Sequence, residues 1–393
     1  MNRHLKRWGI LLAVSIAVLP LSGCWDRKEV NGMALIMAAG LDLLKDSRVE
    51  LTLQLFIPNP SASGAEGNQS KGRVFTISQQ GDSFNDAMTD LQMQVPRMFF
   101  WGHAKAFIYG NKLARRGLMS DIDFLFRDNQ LRQQANLYIA PGTAKELLYS
   151  LNDPDSYDAL VRLTEQKSLE YSAIYRVEEK ITGESNSILL PLARTASLES
   201  EGKISKILAV RGHAVIKEQK LFTYLTDQES HNINWLTNRR FDKNLCLSYS
   251  TDDGSIKIRI IKAAMRYEPL IKNGRWKMTI KYKVNADVVE SSLPANLLSP
   301  SDNLEKMEKP FNEEITRQIS DAIKMMQGYK TDVLSFGRAY HKKYPKAWKQ
   351  AENNWNELFA KVEVEVKVDM ILRSPGISNV THHVEMQKRE EGK

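Results

Sequence analysis

The stretch that decides the fold is residues 273–288, which read Asn-Gly-Arg-Trp-Lys-Met-Thr-Ile-Lys-Tyr-Lys-Val-Asn-Ala-Asp-Val. An Asn-Gly pair between two strand-like segments is the strongest short-range signal for a two-residue hairpin turn. After this pair, apolar residues occupy every second position from Trp276 to Val288, and polar residues fill the positions between them. This period predicts a long antiparallel strand with one buried face.

A second segment with alternating apolar and charged residues lies near the end of the chain. From Val362 to Met370, valine or methionine alternates with charged residues. A single strand cannot bury its apolar face alone, so this strand must join a sheet. We predict that both strands lie in one antiparallel sheet, whose apolar face is covered by an amphipathic helix over Phe311–Met326.

The first half of the chain alternates strands and helices. The patterns predict strands over Met33–Leu44 and Val49–Ile57 and a helix over Ser83–Gln94. Residues Glu179–Lys206 are polar and predict a connector, and Ile207–Ile216 predicts the strand that follows it.

The fold class expected from these elements is a mixed α/β protein of the α+β type, with several domains and largely antiparallel sheets packed with helices. We divide the chain into residues 1–23, a removed signal peptide, and 24–200, an N-terminal α/β region with room for two subdomains. Residues 207–375 form a C-terminal α+β domain, and 376–393 form a polar tail.

The beginning of the chain has the features of a bacterial lipoprotein signal. Three basic residues precede an apolar run over residues 8–19, and Leu21-Ser22-Gly23-Cys24 follows it. The run is shorter than the roughly 20 residues that span a membrane. Small residues before the cysteine predict cleavage there and a diacylglyceryl thioether on Cys24. The alternative is an ordinary signal peptide in which the cysteine falls by chance.

Composition describes an exported globular protein of 393 residues, 42% hydrophobic and 26% charged. Removing residues 1–23 removes three basic residues and lowers the formal net charge from +8 to +5. This modest charge, with no basic and aromatic binding motif, argues against a nucleic-acid partner.

No motif points to catalysis or to a cofactor. The chain has no Gly-x-Ser-x-Gly elbow, no phosphate-binding loop and no His-Glu-x-x-His. His103 and His213 both occur in Gly-His-Ala and are interpreted as structural, with a metal site as the alternative. Cys246 lies in an alternating strand pattern and is interpreted as a half-buried residue, not a nucleophile. We expect no cofactor and no metal.

A cluster of lysines lies beside Tyr344 and Trp348. Its members are Lys342, Lys343, Lys346 and Lys349. One interpretation is a contact with anionic lipid headgroups or with an acidic partner. The favoured interpretation is a solvated basic face whose aromatic residues turn into the core. In the tail, His382-His383 is expected to be solvated.

Four blocks, in order along nearly the whole chain, resemble the Ger(x)C family, the lipoprotein C subunits of spore germinant receptors. They are Leu21-Ser22-Gly23-Cys24-Trp25-Asp26-Arg27-Lys28-Glu29-Val30-Asn31; Trp101-Gly102-His103-Ala104 with Asp123-Phe124-Leu125-Phe126-Arg127-Asp128 downstream; Arg211-Gly212-His213-Ala214-Val215 with Leu236; and Ser335-Phe336-Gly337-Arg338-Ala339-Tyr340-His341 through Trp348, with Trp355. The lipobox alone is generic, whereas the lipobox with Trp-Asp and the last block is fairly specific.

The resemblance implies a non-enzymatic, lipid-anchored subunit on the exterior face of the inner membrane of the spore. It implies two integral membrane subunits as partners, a response to small nutrients that triggers germination, and a multi-domain α/β fold. Cys24 is the carried-over position with a chemical role.

Two other functions stay open from the residues alone. A solute-binding lipoprotein would itself capture the nutrient, and would have two similar lobes around a cleft, whereas these halves differ in pattern. An exported cell-wall hydrolase would need a pocket with perturbed carboxyl groups.

Overall fold

The computed structural model describes residues 32–58, 72–118, 133–150, 172–200, 203–237, 246–251, 254–292 and 301–373, with single residues at 8, 127, 131 and 162. Residues 1–23, Cys24 and the tail 376–393 are outside the described residues, apart from position 8.

The first sheet contains nine strands within the described residues. They are β1 (Met33–Leu43), β2 (Val49–Pro58), β3 (Gly72–Gly81), β4 (Met98–Phe100), β5 (Ala106–Gly110), β6 (Asn136–Ala140), β7 (Ser187–Ser200), β8 (Lys203–Lys217) and β9 (Lys220–Tyr224). The spatial order is β3-β2-β1-β5-β6-β7-β8-β9, with β4 beside β1. Strands β1, β5, β6 and β7 run parallel at the centre, and the outer pairs are antiparallel.

Helices cover both faces of this sheet. They are α1 (Phe84–Gln94), α2 (Asn111–Arg116), α3 (Ala144–Tyr149) and α4 (Ile174–Ile181). Helices α1, α2 and α4 pack in one apolar cluster with Phe107 and Tyr109, whereas α3 packs on the other face with Ala106 and Ile108. Strand β1 is therefore buried almost throughout, which explains its nearly continuous apolar sequence.

Asp42 joins β1 to α3. Its carboxylate accepts hydrogen bonds from the backbone N–H groups of Ala144 and Lys145, at 2.9 Å each, and so caps a helix about 100 positions away. Burial raises the pKa of Asp42, against the lowering effect of these hydrogen bonds. Gly110 is required here, because a Cβ at that position would lie 1.8 Å from Asp42 Oδ1.

The second sheet has the order β10-β11-β12-β13. Its strands are β10 (Cys246–Thr251), β11 (Gly254–Lys272), β12 (Arg275–Ser291) and β13 (Glu363–Arg373). Its helices are α5 (Asp227–Thr237), α6 (Ser301–Gly328), α7 (Phe336–Lys343), α8 (Pro345–Ala351) and α9 (Trp355–Phe359). The predicted hairpin is confirmed: Asn273 and Gly274 form the β11–β12 turn with φ of 52° and 73°, the left-handed values that a type I′ turn needs.

The helix predicted over Phe311–Met326 is confirmed as part of α6. Its six apolar positions at helical spacing are all buried in the core of the second sheet: Phe311, Ile315, Ile319, Ala322, Ile323 and Met326. Trp235 of α5 extends this layer, since its indole N–H donates to Gln318 Oε1 at 2.6 Å. The predicted class, mixed α/β with sheets packed with helices, is confirmed.

The predicted antiparallel pairing of the two alternating strands is wrong. Strands β12 and β13 pair in parallel, from Lys277 beside Glu363 to Asp287 beside Arg373. Helix α6 explains the direction. Gln327, near its end, donates to the carbonyl of Val362 at the start of β13, and Glu308, near its beginning, accepts from Leu372 at the end of β13. Because 28 residues of helix carry the chain back about 40 Å, the last strand starts at the same end as β12.

The predicted polar connector over Glu179–Lys206 is also wrong. Half of it, 14 residues, is β7, which pairs with β8 along a long hairpin. The apolar start of β7, residues 187–193, is buried, and in its more polar continuation partly buried and exposed positions alternate over residues 194–197. Pro191, which disfavours a strand in sequence reading, lies at a register shift of the ladder, where proline is tolerated. The strand predicted over Ile207–Ile216 is present in β8, and both β8 and β9 add to the first sheet.

The buried and exposed faces of β13 allow a test with a matched control. Met370 is 1% exposed and Ile371 is 55% exposed. We expect Met370→Asp to lower the free energy of unfolding by about 3–5 kcal/mol, because an unpaired carboxylate enters the apolar layer. The control Ile371→Asp should change it by about 0.5 kcal/mol or less. Urea unfolding followed by circular dichroism measures both, and equal effects would contradict the assigned faces.

Candidate functional site

Cys24, the predicted lipid-attachment residue, lies outside the described residues. The first continuous described segment begins at Gly32, eight positions after Cys24, and β1 starts at Met33. His382-His383 and most of residues 123–128 also lie outside the described part.

The two Gly-His-Ala histidines lie in different surroundings. His103 ends a short 3₁₀ turn over Trp101–His103, and its ring lies 5.8 Å from that of Phe100. His213 is buried within β8 opposite Pro191, and its carbonyl accepts from Leu225 N–H. His103 thus precedes strand β5, whereas His213 lies inside β8.

Cys246 opens β10 and is a free, partly exposed cysteine paired with Arg259 across the ladder. Among the described residues, no group of three or more His, Cys, Asp or Glu side chains could hold a metal ion. The described helices also include none long and apolar enough to cross a membrane.

The most elaborate polar arrangement lies where the two sheets' helices meet. Asp332, between α6 and α7, is fully buried. Its Oδ2 accepts from Gly337 N–H at 2.8 Å, from Ser185 Oγ at 2.9 Å and from Trp355 Nε1 at 3.0 Å. Its Oδ1 accepts from Phe336 N–H at 3.0 Å. One carboxylate thus joins the loop after α4 to the start of α7.

Asp332 serves as the N-terminal cap of α7 from outside the helix. Ser335, immediately before α7, has φ 64° and its side chain makes no capping bond. Burial raises the pKa of Asp332, and the hydrogen bonds from Gly337, Phe336 and Trp355 act in the opposite direction. A positive φ at a non-glycine residue is costly, and here the two backbone bonds to Asp332 hold it.

A polar cleft of about 200 Å³ surrounds the same contact. We call it the interdomain cleft; it is lined by Glu179, Lys180, Gly183, Glu184, Ser185, Ser335 and Arg338. Glu179 pairs with Arg338 and, at 3.0 Å, with Arg176. Glu184 contacts His341 Nδ1 at 2.9 Å. Lys180 donates to Ser335 Oγ and to the carbonyl of Val333. The charged side chains that line the cleft are thus paired across it.

These pairs set the protonation of the two glutamates. Burial pushes the pKa of Glu179 upward, but hydrogen bonds from Arg338 and Arg176 lower it below its ordinary value. Burial acts in the same way on Glu184, and the hydrogen bond with His341 lowers its pKa overall. A general acid needs a raised pKa near neutrality, so neither carboxyl group suits that task.

The chain after Ser335 builds an aromatic cluster against the second sheet. Ring centroids of Trp276 and Tyr340 lie 4.6 Å apart, and those of Trp348 and Trp355 lie 5.0 Å apart. Gly337 is enclosed by this cluster, because an added Cβ would lie 2.8 Å from the Trp348 ring and 3.0 Å from Trp355 Nε1. The residues of this block are thus explained by packing and by the Asp332 bonds.

The lysine cluster lies on the outer side of α7 and α8. All four lysines are exposed, whereas Trp348 is buried and Tyr344 is partly buried. Lys343 Nζ donates to the carbonyl of Pro269 at 2.7 Å and lies 5.4 Å from the Tyr344 ring centroid. This geometry matches a solvated basic face with aromatic residues turned inward.

Sequence reasoning missed Asp332, Glu184 and Ser185. Glu184 and Ser185 lie in the stretch that was predicted to be a connector. One sequence feature does mark Asp332. It is the one charged residue in Thr-Asp-Val-Leu-Ser-Phe-Gly, residues 331–337.

Two family models match the chain. The model described as "Spore germination protein N-terminal domain" matches residues 26–194, and the model described as "Spore germination B3/ GerAC like, C-terminal" matches residues 211–376. Together they account for most of the chain in the expected order. The chain belongs to the GerAC family of spore germination proteins. The resemblance to the Ger(x)C family is thereby confirmed.

Relatives of this family member match along nearly their whole length. Spore germination protein KC of Bacillus subtilis (strain 168) is 26% identical over 394 residues, which cover 94% of this chain and 96% of the relative. Spore germination protein B3 of the same organism is 24% identical, covering 90% of this chain and 93% of the relative. The crystal structure of the GerBC protein, 18% identical, covers 85% of this chain and 96% of that chain with a TM-score of 0.51, which shows a shared fold.

The two matched segments meet inside one sheet. The first ends at residue 194 in β7, and the second begins at residue 211 in β8, the strand that pairs with β7. The C-terminal segment of this GerAC family member therefore contributes the last seven residues of β8 and all of β9 to the first sheet before it builds the second.

Gly337 gives a test of the aromatic cluster. We expect Gly337→Ala to lower the free energy of unfolding by about 1–3 kcal/mol, because the methyl group would press on the rings of Trp348 and Trp355. The control is Gly328→Ala at the end of α6, where an added Cβ meets nothing within 4 Å and stability should be nearly unchanged. Thermal unfolding of the two variants side by side decides between close packing and open space at position 337.

The interdomain cleft also predicts a dependence on pH. Since the folded-state pKa of Glu179 and of Glu184 is below the ordinary 4.5, both stabilise the fold above that pH and lose this contribution as pH falls through their folded values. The double variant Glu179→Gln, Glu184→Gln should be less stable than wild type at pH 7, and the two should converge as the wild type is acidified below pH 4.5. Urea titrations across this range measure the difference, and a constant gap at all pH values would refute the assignment.

Proposed function

We propose that this protein is the lipid-anchored exterior subunit of a spore germinant receptor and is needed for nutrient-triggered germination. The observation that carries the proposal is the match of two spore germination family models to residues 26–194 and 211–376, directly after a lipobox cysteine. The first match begins two residues beyond Cys24, as expected if the mature chain starts at that cysteine.

The subunit is proposed to act at the inner membrane of the spore, on its exterior face. Cys24 carries the lipid, and the partners are the integral membrane subunits of the receptor. A mature net charge of +5 gives no support to a nucleic-acid partner. Covalent lipid would hold the protein at the membrane, because two or more acyl chains hold a protein on a bilayer far better than one.

The proposed role is scaffold and coupling, without catalysis. In the described residues, the carboxyl groups of the interdomain cleft have lowered pKa values, and Asp332, whose pKa is raised, is fully enclosed and bonded to four donors. A cell-wall hydrolase needs an accessible carboxylic acid with a raised pKa. The arrangement supports a structural contact instead.

The geometry also favours a contact over capture of a nutrient in the interdomain cleft. A charged solute entering there would have to displace partners that already face one another, Glu179 with Arg338 and Glu184 with His341. Displacing them would cost the solute part of its binding free energy.

The lipid anchor is tested with the two cysteines of the chain. Cys24→Ala should abolish incorporation of a labelled fatty acid, leave the signal peptide uncleaved by the lipoprotein pathway, and remove the protein from the receptor, so that nutrient-triggered germination is lost. Cys246→Ala is the matched control and should incorporate label and support germination as wild type does. Undiminished labelling of Cys24→Ala would overturn the proposed anchor.

A further inference from the structure

The end of the first sheet at which the chain enters carries two exposed methionines. Met93 is 75% exposed and Met98 is 69% exposed. Single exposed apolar residues are ordinary, but these two flank one short turn between α1 and β4. We call Met93 and Met98, with Arg97 in the turn between them and Arg73 at the start of β3, the apolar tip.

The apolar tip is part of the folded sheet. Gln92 fixes the turn, because its Nε2 donates to the carbonyl of Arg97 at 2.9 Å and its Oε1 accepts from Phe99 N–H at 2.8 Å. Arg97 in turn donates to the carbonyl of Pro58, at the end of β2, at 3.2 Å. The methionines are therefore held outward by a bonded turn.

The apolar tip lies next to the start of β1. Met98 pairs in parallel register with Met33, the first residue of that strand. Eight residue steps separate Cys24 from Gly32, and an extended chain of that length reaches at most about 29 Å. A lipid on Cys24 would therefore keep this end of the sheet close to the bilayer.

The charge of this end complements an anionic surface. The described segments that meet here, residues 32–35, 56–58, 72–75 and 92–100, contain Arg73 and Arg97 and no aspartate or glutamate. Exposed apolar side chains flanked by basic ones are typical of segments that lie in the interfacial region of a membrane.

We propose that the apolar tip inserts Met93 and Met98 into the interfacial region of the membrane, with Arg73 and Arg97 facing anionic headgroups. This inference rests on the proposed lipid attachment at Cys24. The insertion would fix the orientation of the first sheet on the bilayer, which attachment at one residue alone cannot do.

The test places an environment-sensitive fluorophore on single cysteines of the full lipidated chain, in a Cys246→Ser background. The labelled positions are Met93→Cys and Met98→Cys, with Ile371→Cys and Val289→Cys as controls on the second sheet that are also exposed and apolar. The proteins are bound to vesicles of phosphatidylglycerol and phosphatidylethanolamine, some containing a lipid-borne nitroxide quencher. Strand β2 ends and β3 begins at this same end, at the paired residues Pro58 and Gly72, so the whole mature chain is used.

Insertion predicts emission shifted to the blue at positions 93 and 98 and quenching roughly twofold or more above the controls, as expected for a probe about 5–10 Å into the interface. Vesicle-bound, acylated protein with equal quenching at all four positions would overturn insertion and leave the anchor intact. A blue shift without lipid quenching would indicate that a second copy of the chain covers the apolar tip and would also overturn the lipid assignment. Protein that lacks acyl chains and does not float with vesicles would overturn the anchor and, with it, the insertion.

Discussion

The contact between the two sheets depends on one buried carboxylate. Asp332 has no exposed surface, and an isolated charge in such a place would cost far more than folding can supply. It is tolerated because four donors converge on it, two from the backbone of α7, one from Trp355 and one from Ser185. Each donor constrains its own element, so the start of α7, the aromatic cluster and the loop after α4 are positioned together.

The other bonds of this contact are weaker than those to Asp332. The pairs Glu179–Arg338 and Glu184–His341 are partly exposed, and such pairs contribute only about 0–1 kcal/mol each and weaken with salt. Lys217 adds a bond to the carbonyl of Tyr329, and the rings of Phe222 and Tyr329 meet edge to face. The enclosed bonds to Asp332 therefore form the rigid centre of the contact, and the partly exposed, salt-screened pairs surround it. The bonds to Asp332 fix where the two halves meet.

The sequence correctly predicted the elements that depend on the local spacing of apolar residues. The predictions failed where pairing between distant segments determines the structure. The β11–β12 hairpin and the buried face of α6 follow from Asn273-Gly274 and from apolar spacing, and both are present. The direction of β13 could not be read from its alternation, because parallel and antiparallel strands share a period of two. The direction follows from the return path through α6. Strand β7 was missed because Pro191 interrupts its apolar run and polar residues predominate after it.

The contact at Asp332 was not predicted, for a related reason. Asp332 binds groups more than 140 positions earlier in the chain, at Ser185, and 23 positions later, at Trp355. A carboxylate between α6 and α7 looks in sequence like any loop residue, and only tertiary structure shows that it is enclosed. The block around Gly337 could be recognised as a family resemblance, but its physical reason, a glycine with no room for a Cβ between Trp348 and Trp355, needed the packed rings.

The position of β1 explains how an anchor at Cys24 could be borne by the fold. The chain passes from the lipobox into β1 with few residues between, and β1 is an inner strand, bonded to β2 on one side and to β4 and β5 on the other. A pull on its first residue acts along the strand, so it loads many ladder hydrogen bonds together instead of opening them one at a time as it would on an edge strand. The same sheet continues through β7 to β8, where the second matched segment begins, and then meets Asp332 through the loop after α4. If Cys24 is anchored as proposed, a displacement at that end of β1 would reach the second sheet through bonded strands and one enclosed carboxylate, which is the arrangement that the proposed coupling role requires.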